Sequence, residues 1–365
     1  MKESSNEHPL AESIKIIRHK ALNKKRQYSE ELLKKPVSYW IKEDRLLNEM
    51  GKEFTIILRT RGCSWALGEM GGCSMCGYIQ DANINNVKPE FILNQFDHAF
   101  NDKLGEIERD NNNYVLKIFN SGSFFDDEEV PDQVREHIYE KISKIPKITE
   151  VIVESRVEYI DHEKLAEMRD SMRDKYVEIG IGLESANDHI RQNFINKGLT
   201  LDDFKMALKA CKENDIGVKA YLLLKPPFIN EQGAIDDCVS SIRTCINLGV
   251  DTISINPLNI QKGSLAENLW RQNRYRPPWF YSLIKCLKKA INQEELNETR
   301  VLSDPSGAGS KRGIHNCLKR ECNENMMIIL RKFVQNQQVN ELNQNNYKCN
   351  CKLRYQYQIK SMNSI

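Results

Sequence analysis

What the sequence lacks narrows the reading first. It has no apolar run near the ~18 residues that a membrane-spanning helix requires. Its first twenty residues, MKESSNEHPLAESIKIIRHK, are too polar to contain the apolar region of a signal peptide. It lacks an excess of either charge: 53 Lys and Arg against 51 Asp and Glu leave a formal charge of +2. That balance excludes a chain that binds nucleic acid through bulk charge and leaves only a local basic face for the purpose. The cysteines, 11 in all, are odd in number and do not form a fully paired disulfide framework. These absences predict a cytoplasmic protein that makes no use of a membrane and keeps its thiols reduced and open to metals. Internal repeats are absent, and low complexity is confined to an asparagine-rich tail around 336–346.

What is present begins at residue 54. Six short apolar, β-branched runs follow: FTIILR (54–59), YVLKIF (114–119), EVIVES (150–155), VEIGIG (177–182), VKAYLLL (218–224) and DTISIN (251–256). Stretches of helical spacing lie between them, such as FILNQFDHAFNDKL and LDDFKMALKACKEND. The alternation predicts buried parallel strands joined by right-handed crossovers. Six units across 51–265 make either a (β/α)6 partial barrel or an open doubly wound sheet, and pattern alone does not separate them. Residues 1–50 read as a helical extension, with the basic run KIIRHKALNKKR as a solvated helix face. The alternation fails after 265, so 266–365 read as a separate cysteine-rich C-terminal subdomain.

Either architecture gathers its ligand site at the C-terminal ends of the strands. RTRGC follows the first run, NSGSFFDD the second, ESRVEY the third, GLESAND the fourth, KPPF the fifth and NPLNIQKGS the sixth. The first leads into RGCSWALGEMGGCSMCGY (61–78), where Cys63, Cys73 and Cys76 share one glycine-rich loop with no fourth cysteine nearby. Thiolates are soft ligands for zinc, copper(I) or iron–sulfur clusters. A structural zinc ion closes with four protein ligands. The loop is therefore either a zinc knuckle completed from elsewhere, or the seat of a cluster with one iron open to a small chelating ligand. Gly68, Gly71, Gly72 and Gly77 suit a chain that wraps a cluster closely. The loop's place at the end of the first strand favours the cluster.

Together with IGLESANDHIRQNFINKG and SINPLNIQKGS, this loop makes the chain resemble the radical S-adenosylmethionine (SAM) enzymes. More narrowly, it resembles the archaeosine-biosynthesis radical SAM family, from about residue 50 to the terminal cysteines. The superfamily's usual spacing is C-x3-C-x2-C; here it is C-x9-C-x2-C, similar to the longer first gap of elongator-type relatives. The resemblance implies a (β/α)6 partial TIM barrel in which Cys63, Cys73 and Cys76 ligate a [4Fe-4S] cluster. SAM would chelate the unique iron and, on reduction, be cleaved to a 5′-deoxyadenosyl radical. The implied SAM contacts are the backbone at Tyr78, the segment Asn120, Ser121, Gly122 and Ser123, and the side chains of Glu154, Glu184 and Arg191. The acidic member usual beside NSGS is missing, with Asp126 the nearby substitute.

The resemblance also implies a tRNA substrate whose 7-deazaguanine base carries lysine, a lysine-transferase partner subunit and an electron donor. The implied reaction is a lyase step that cuts the lysine C–N bond and leaves the amidine of archaeosine. Residue chemistry adds its own support, since WRQNRYRPPWF (270–280), SKRGIH and LKR supply cations and aromatic faces that RNA needs. Cys317, Cys322, Cys349 and Cys351 form two close pairs that match a four-cysteine zinc site. His315 is an alternative ligand there, and a second iron–sulfur cluster is the rival occupant. Cys211, Cys238, Cys245 and Cys286 fall in helical patterns and are expected in the core. Two other functions fit the same residues: a different elongator-like RNA-modifying enzyme, and a non-catalytic RNA-binding protein with two zinc sites.

Overall fold

The structure is a computed structural model that describes residues 9–23, 27–344 and 347–362. Residues 24–26 of the basic run and part of the asparagine-rich tail lie outside the described residues. Among the described residues, helix α1 (Pro9–Leu22) comes first, and eight strands then form one sheet in simple chain order. They are β1 (Ser38–Arg45), β2 (Met50–Ile57), β3 (Tyr114–Phe119), β4 (Ile148–Glu154), β5 (Tyr176–Glu184), β6 (Gly217–Leu224), β7 (Thr252–Pro257) and β8 (Arg300–Leu302). β1 pairs antiparallel with β2, and every later pair is parallel. Five helices make the crossovers from β2 to β7: α2 (Pro89–Arg109), α3 (Asp132–Ser143), α4 (His162–Ser171), α5 (Leu201–Glu213) and α6 (Glu231–Asn247). Unbroken sequential order is barrel winding, because a doubly wound sheet reverses its order at a switch point.

Side chains alternate across each strand, and here the two faces differ sharply. One face carries Phe54, Ile56, Leu116, Val151, Ile179, Val218 and Ile253, all buried against the helices in one continuous core. The other face carries Glu53, Lys117, Glu150, Glu178, Lys219 and Arg300, each under 9% exposed. These charges show that the sheet curls. Arg300 on β8 lies four strands from β4, about 19 Å along a flat sheet. Yet its guanidinium is 3.0 Å from Glu150 on β4 and 3.0 Å from Glu178 on β5. Lys117 closes the near wall, 2.5 Å from both Asp44 and Glu53. The inward face thus has an ionic floor at the N-terminal ends of the strands.

Two sequence expectations change. Residues 38–45 are a strand rather than part of a helical extension, since Tyr39 and Ile41 pack against the core while β2 supplies the ladder. A polar strand is usual at a sheet edge. Residues 266–365, expected as a separate subdomain, are continuous with the barrel. They comprise α7 (Leu265–Arg271), α8 (Phe280–Ala290), β8, α9 (Arg320–Asn336) and α10 (Cys351–Met362). Phe280, Leu283, Leu330 and Phe333 share the barrel's core, and β8 extends its sheet. Cys211, Cys238, Cys245 and Cys286 are buried in that core, as expected. Among the described residues, no helix is long and apolar enough to cross a membrane.

Replacing Arg300 by Leu leaves two buried carboxylates without their cation. The expected loss is about 3–5 kcal/mol of unfolding free energy, measured by denaturant titration.

Candidate active site

The cysteine loop leaves β2 at the mouth and is tied down from three directions. From α1, Arg18 donates through Nε to Gly71 O (3.1 Å) and through Nη2 to Cys76 O (2.8 Å). From the turn after β5, Asn196 Nδ2 donates to Met70 O and Gly72 O, both at 2.9 Å, and Ser74 N donates to Ile195 O at 2.8 Å. From the segment after β7, Gln261 Oε1 accepts from Gly77 N. Gly71 has φ +68°, and a Cβ there would lie 2.7 Å from Lys15 Cα, so only glycine lets α1 close over the loop. α1 is therefore not simply a solvated basic face, because Arg18 is only 3% exposed.

Burial pushes the thiols of Cys63, Cys73 and Cys76 above the ordinary cysteine range. Three cations oppose it: Arg156 acts on Cys63 and Cys73, Lys197 on Cys73 and Cys76, and Arg18 on Cys76. Buried thiols stay protonated until a metal displaces the proton, and nearby cations favour the thiolates that replace them.

Residues 120–123 wrap a carboxylate that the sequence reading missed. Glu129, 1% exposed, accepts from Thr60 Oγ1 (2.7 Å), Asn120 Nδ2 (2.8 Å) and Ser123 N (2.9 Å). A Cβ on Gly122 would collide with Glu129 and lie 2.7 Å from Cys63 Cα, so this segment presses directly on the cysteine loop. Ser121 Oγ donates to Tyr78 O at 3.1 Å. Among the described residues, Asn120 Oδ1 is buried without a hydrogen-bond partner, an acceptor left unused. Asp126, the substitute expected from sequence, instead lies near Tyr159, Arg61 and Lys164.

Glu154 and Glu184 stand at the ends of adjacent strands, within electrostatic reach of one another. Burial raises the Glu154 pKa, while the Tyr221 hydroxyl, Lys219 and Lys197 pull it back. A register shift on β5 precedes Glu184, whose φ is +66°. Bulges and left-handed non-glycine residues re-aim side chains at functional sites. Here the Glu184 carboxylate meets Lys197 at 2.9 Å. Tyr78 remains 58% exposed at the rim. Arg191 does not belong to this group. It is fully buried, and donates to Leu199 O (2.9 Å) and Ser185 O while pairing with Asp188. Its guanidinium is taken up by the carbonyls and carboxylate of its own turn.

The terminal cysteines converge although Cys317 and Cys349 are 32 residues apart. Cys317 Sγ is 3.9 Å from Cys349 Sγ, Cys322 Sγ is 3.7 Å from Cys351 Sγ, and all four lie within 4.8 Å of one another. Zinc–sulfur bonds of about 2.3 Å put tetrahedral ligands about 3.8 Å apart, so this set fits one zinc ion. A cubane holds its thiolates on separate irons, farther apart. The three thiols of the 61–78 loop do not form so tight a group among the described residues. His315 is not in the group; its Nδ1 bonds to Gly313 O at 2.8 Å. The basic segments expected to meet RNA are partly used by the fold. Arg276 stacks 3.9 Å from the Trp279 centroid and donates to His315 O at 2.7 Å, while Arg312 pairs with Glu267 at 3.1 Å. Arg274, Lys311, Lys319 and Arg320 remain exposed.

A sequentially wound, curled sheet with a three-cysteine loop at its mouth is the partial barrel that the sequence resemblance implied. The chain belongs to the archaeosine synthase subunit beta family. It is 37% identical over 319 residues to the archaeosine synthase subunit beta of Methanosarcina acetivorans, covering 87% of this chain and 88% of that protein. An uncharacterized protein of Methanocaldococcus jannaschii is 41% identical over 344 residues, covering 93% of this chain and 90% of that one. Among solved structures, an N-terminally deleted Elp3 of Methanocaldococcus infernus aligns with a TM-score of 0.46 and 14% identity over 67% of this chain and 59% of that one. No family model matches the chain.

Two outcomes follow from this geometry. Burial raises Glu129 from 4.5 to about 7, so the folded chain holds a proton that the unfolded chain releases. Stability should therefore fall as pH rises through that window, and Glu129→Gln should gain on the wild type by up to about 3 kcal/mol between pH 4.5 and 7.5. Denaturant titrations across pH read the difference. Separately, Cys349→Ser should lower bound zinc and melting temperature without removing iron, as seen by metal analysis and calorimetry.

Proposed function

We propose that this protein is the radical SAM subunit of archaeosine formation, a carbon–nitrogen lyase acting on tRNA. The observation that carries the reading is the clamped loop of Cys63, Cys73 and Cys76, set beside the open Asn120 acceptor within a family named for archaeosine synthase. The donor set fits a [4Fe-4S] cluster with SAM on its open iron, because three soft thiolates leave one iron without a protein ligand. When bound, cluster and SAM supply one-electron, hydrogen-abstracting chemistry.

The chain's own residues do the rest. Asn120 Oδ1 accepts from SAM's amine, and Glu154 and Glu184 take its amine and ribose hydroxyls. Lys197 holds Glu184 in place. The backbone beside Tyr78 lies along the adenine. A tRNA base carrying lysine enters at the mouth, with its lysine directed into the barrel and away from water. Exposed cations such as Arg274, Lys311 and Lys319 meet the phosphates. Cleavage of the lysine C–N bond leaves the amidine on the base. The name subunit beta supports a complex with a lysine-transferase subunit that supplies the adduct, and a separate protein delivers electrons. None of the eleven cysteines is in a disulfide, which suits a reducing, cytoplasmic setting.

Cys73→Ala tests the reading. After anaerobic reconstitution with iron and sulfide, the variant should lose SAM cleavage by about a thousandfold or more, because the cluster loses a protein ligand. Its zinc content and circular dichroism should be unchanged. Undiminished SAM cleavage by the variant would remove the loop from the chemistry.

A further inference from the structure

Helix α10, CKLRYQYQIKSM, has two faces of opposite character and contains no acidic residue. One face is docked on the barrel. Tyr355 is buried against the rings of Trp279 and Tyr281, with centroids at 5.6 and 5.3 Å. Gln358 Oε1 accepts from Trp279 Nε1 at 3.1 Å, and Ile359 packs against the core. The other face carries Lys352, Leu353, Arg354, Gln356, Tyr357 and Lys360, all exposed, with Leu353 at 58% and Tyr357 at 73%. Lys352, Gln356 and Lys360 follow at four-residue spacing and form one row, while Leu353 and Tyr357 form the next. Among the described residues, Lys348, Lys352 and Arg354 make no ion pair.

This face stands at the mouth end of the barrel. Lys225, the residue after β6, pairs with Glu231 at 2.7 Å where α6 begins. Glu231 accepts from Trp279 N at 2.9 Å and from Ser282 Oγ at 2.6 Å where α8 begins. Trp279 in turn holds Gln358, so α10 lies across the starts of α6 and α8. A crossover helix starts at the C-terminal ends of the strands, the end that carries the cysteine loop. Cys351, which opens α10, belongs to the four-sulfur group with Cys317 and Cys322. That group brings the exposed Leu318 and Lys319 alongside the start of α10. Two acids lie on this segment, Glu321 and Glu324, and Glu324 pairs with Arg320 at 2.6 Å.

A row of unpaired cations beside an exposed ring, in a chain whose formal charge is only +2, calls for an extended anion. A protein partner fits less well, because protein interfaces are depleted in lysine. A membrane also fits less well, because a helix lying on lipid buries its apolar face, and here that face is already docked. RNA supplies both complements, phosphates for the cations and unpaired bases for the tyrosine ring. We propose that the exposed face of α10 is an RNA-docking surface, which holds phosphates beside the mouth and stacks Tyr357 on an unpaired base. The inference rests on the tRNA reading above and gives it a surface outside the barrel lumen.

The test uses the reconstituted holoenzyme and a fluorescein-labelled, unmodified tRNA transcript, with anisotropy read from about 50 to 200 mM salt. The double variant Lys352→Gln/Arg354→Gln should bind about tenfold more weakly. Its log–log salt slope should fall by about two, because each neutralised cation gives up one phosphate contact. Tyr357→Ala should bind about tenfold more weakly with the slope unchanged, and Tyr357→Phe should bind as the wild type does, as base stacking requires. A control pair in the last turn of α8, Lys288→Gln/Lys289→Gln, should keep the wild-type affinity and slope. Wild-type binding by the Lys352/Arg354 variant would overturn the inference, and wild-type binding by Tyr357→Ala would overturn its stacking part. An equal loss in the control pair would also overturn it, since that marks diffuse charge. So would loss of co-elution with the transferase subunit while tRNA binding is intact, which assigns the face to that protein. If the wild type binds tRNA and the α10 variants bind it alike, the α10 inference alone fails. If the wild type shows no tRNA binding that salt weakens, the tRNA reading fails and the inference with it.

Discussion

Arg300 reaches from a three-residue strand across the barrel to Glu150 and Glu178, and this contact fixes how tightly the sheet curls. The apolar core outside the sheet supplies the drive to fold, because burial of apolar area outweighs any single ion pair. That core would serve a flatter sheet as well. The ion-paired inward charges would not, since Lys117 and Arg300 need their partners on other strands. Closing the floor with ion pairs brings the opposite ends of seven parallel strands toward one mouth. Every element of the candidate site depends on that convergence.

At the mouth, the decisive balance is between burial and charge. Three thiols sit where burial disfavours thiolates, and Arg18, Arg156 and Lys197 supply the compensating field. Arg18 acts twice, as a cation and as a donor to the loop's carbonyls. The first helix is therefore part of the site's construction, and Gly71 is the point where it makes its closest approach. The terminal cysteines work differently. Their sulfurs already stand at the edge length of a zinc tetrahedron, and they join α10 to the start of α9.

Much of this was legible in the sequence. The β-branched runs located all six central strands because the outward face of each is continuous with the core. β1 was missed because an edge strand such as SYWIKEDR turns only Tyr39 and Ile41 toward the core among charged neighbours, and β8 because three residues make no pattern. The polar lumen was written in strings such as DTISIN, where every second residue is polar, but reading them as buried runs concealed it. Glu129 lies in DDEEV, an acidic cluster that looks solvated; its burial comes from the wrap of residues 120–123, which only tertiary contact creates. Arg191 looked like a ligand-binding cation because nothing local shows that turn carbonyls claim it. Cysteine spacing located both thiol sets, while the sulfur distances distinguish them.

The central claim is that the loop of Cys63, Cys73 and Cys76 holds a cluster with one iron free of cysteine. Electron paramagnetic resonance of the anaerobically reduced protein, recorded before and after SAM is added, tests it most directly. The account predicts a cluster signal whose g-values shift when SAM is present, because an open iron accepts a new ligand. A reduced protein with zinc in that loop, or with a cluster signal indifferent to SAM, would contradict it.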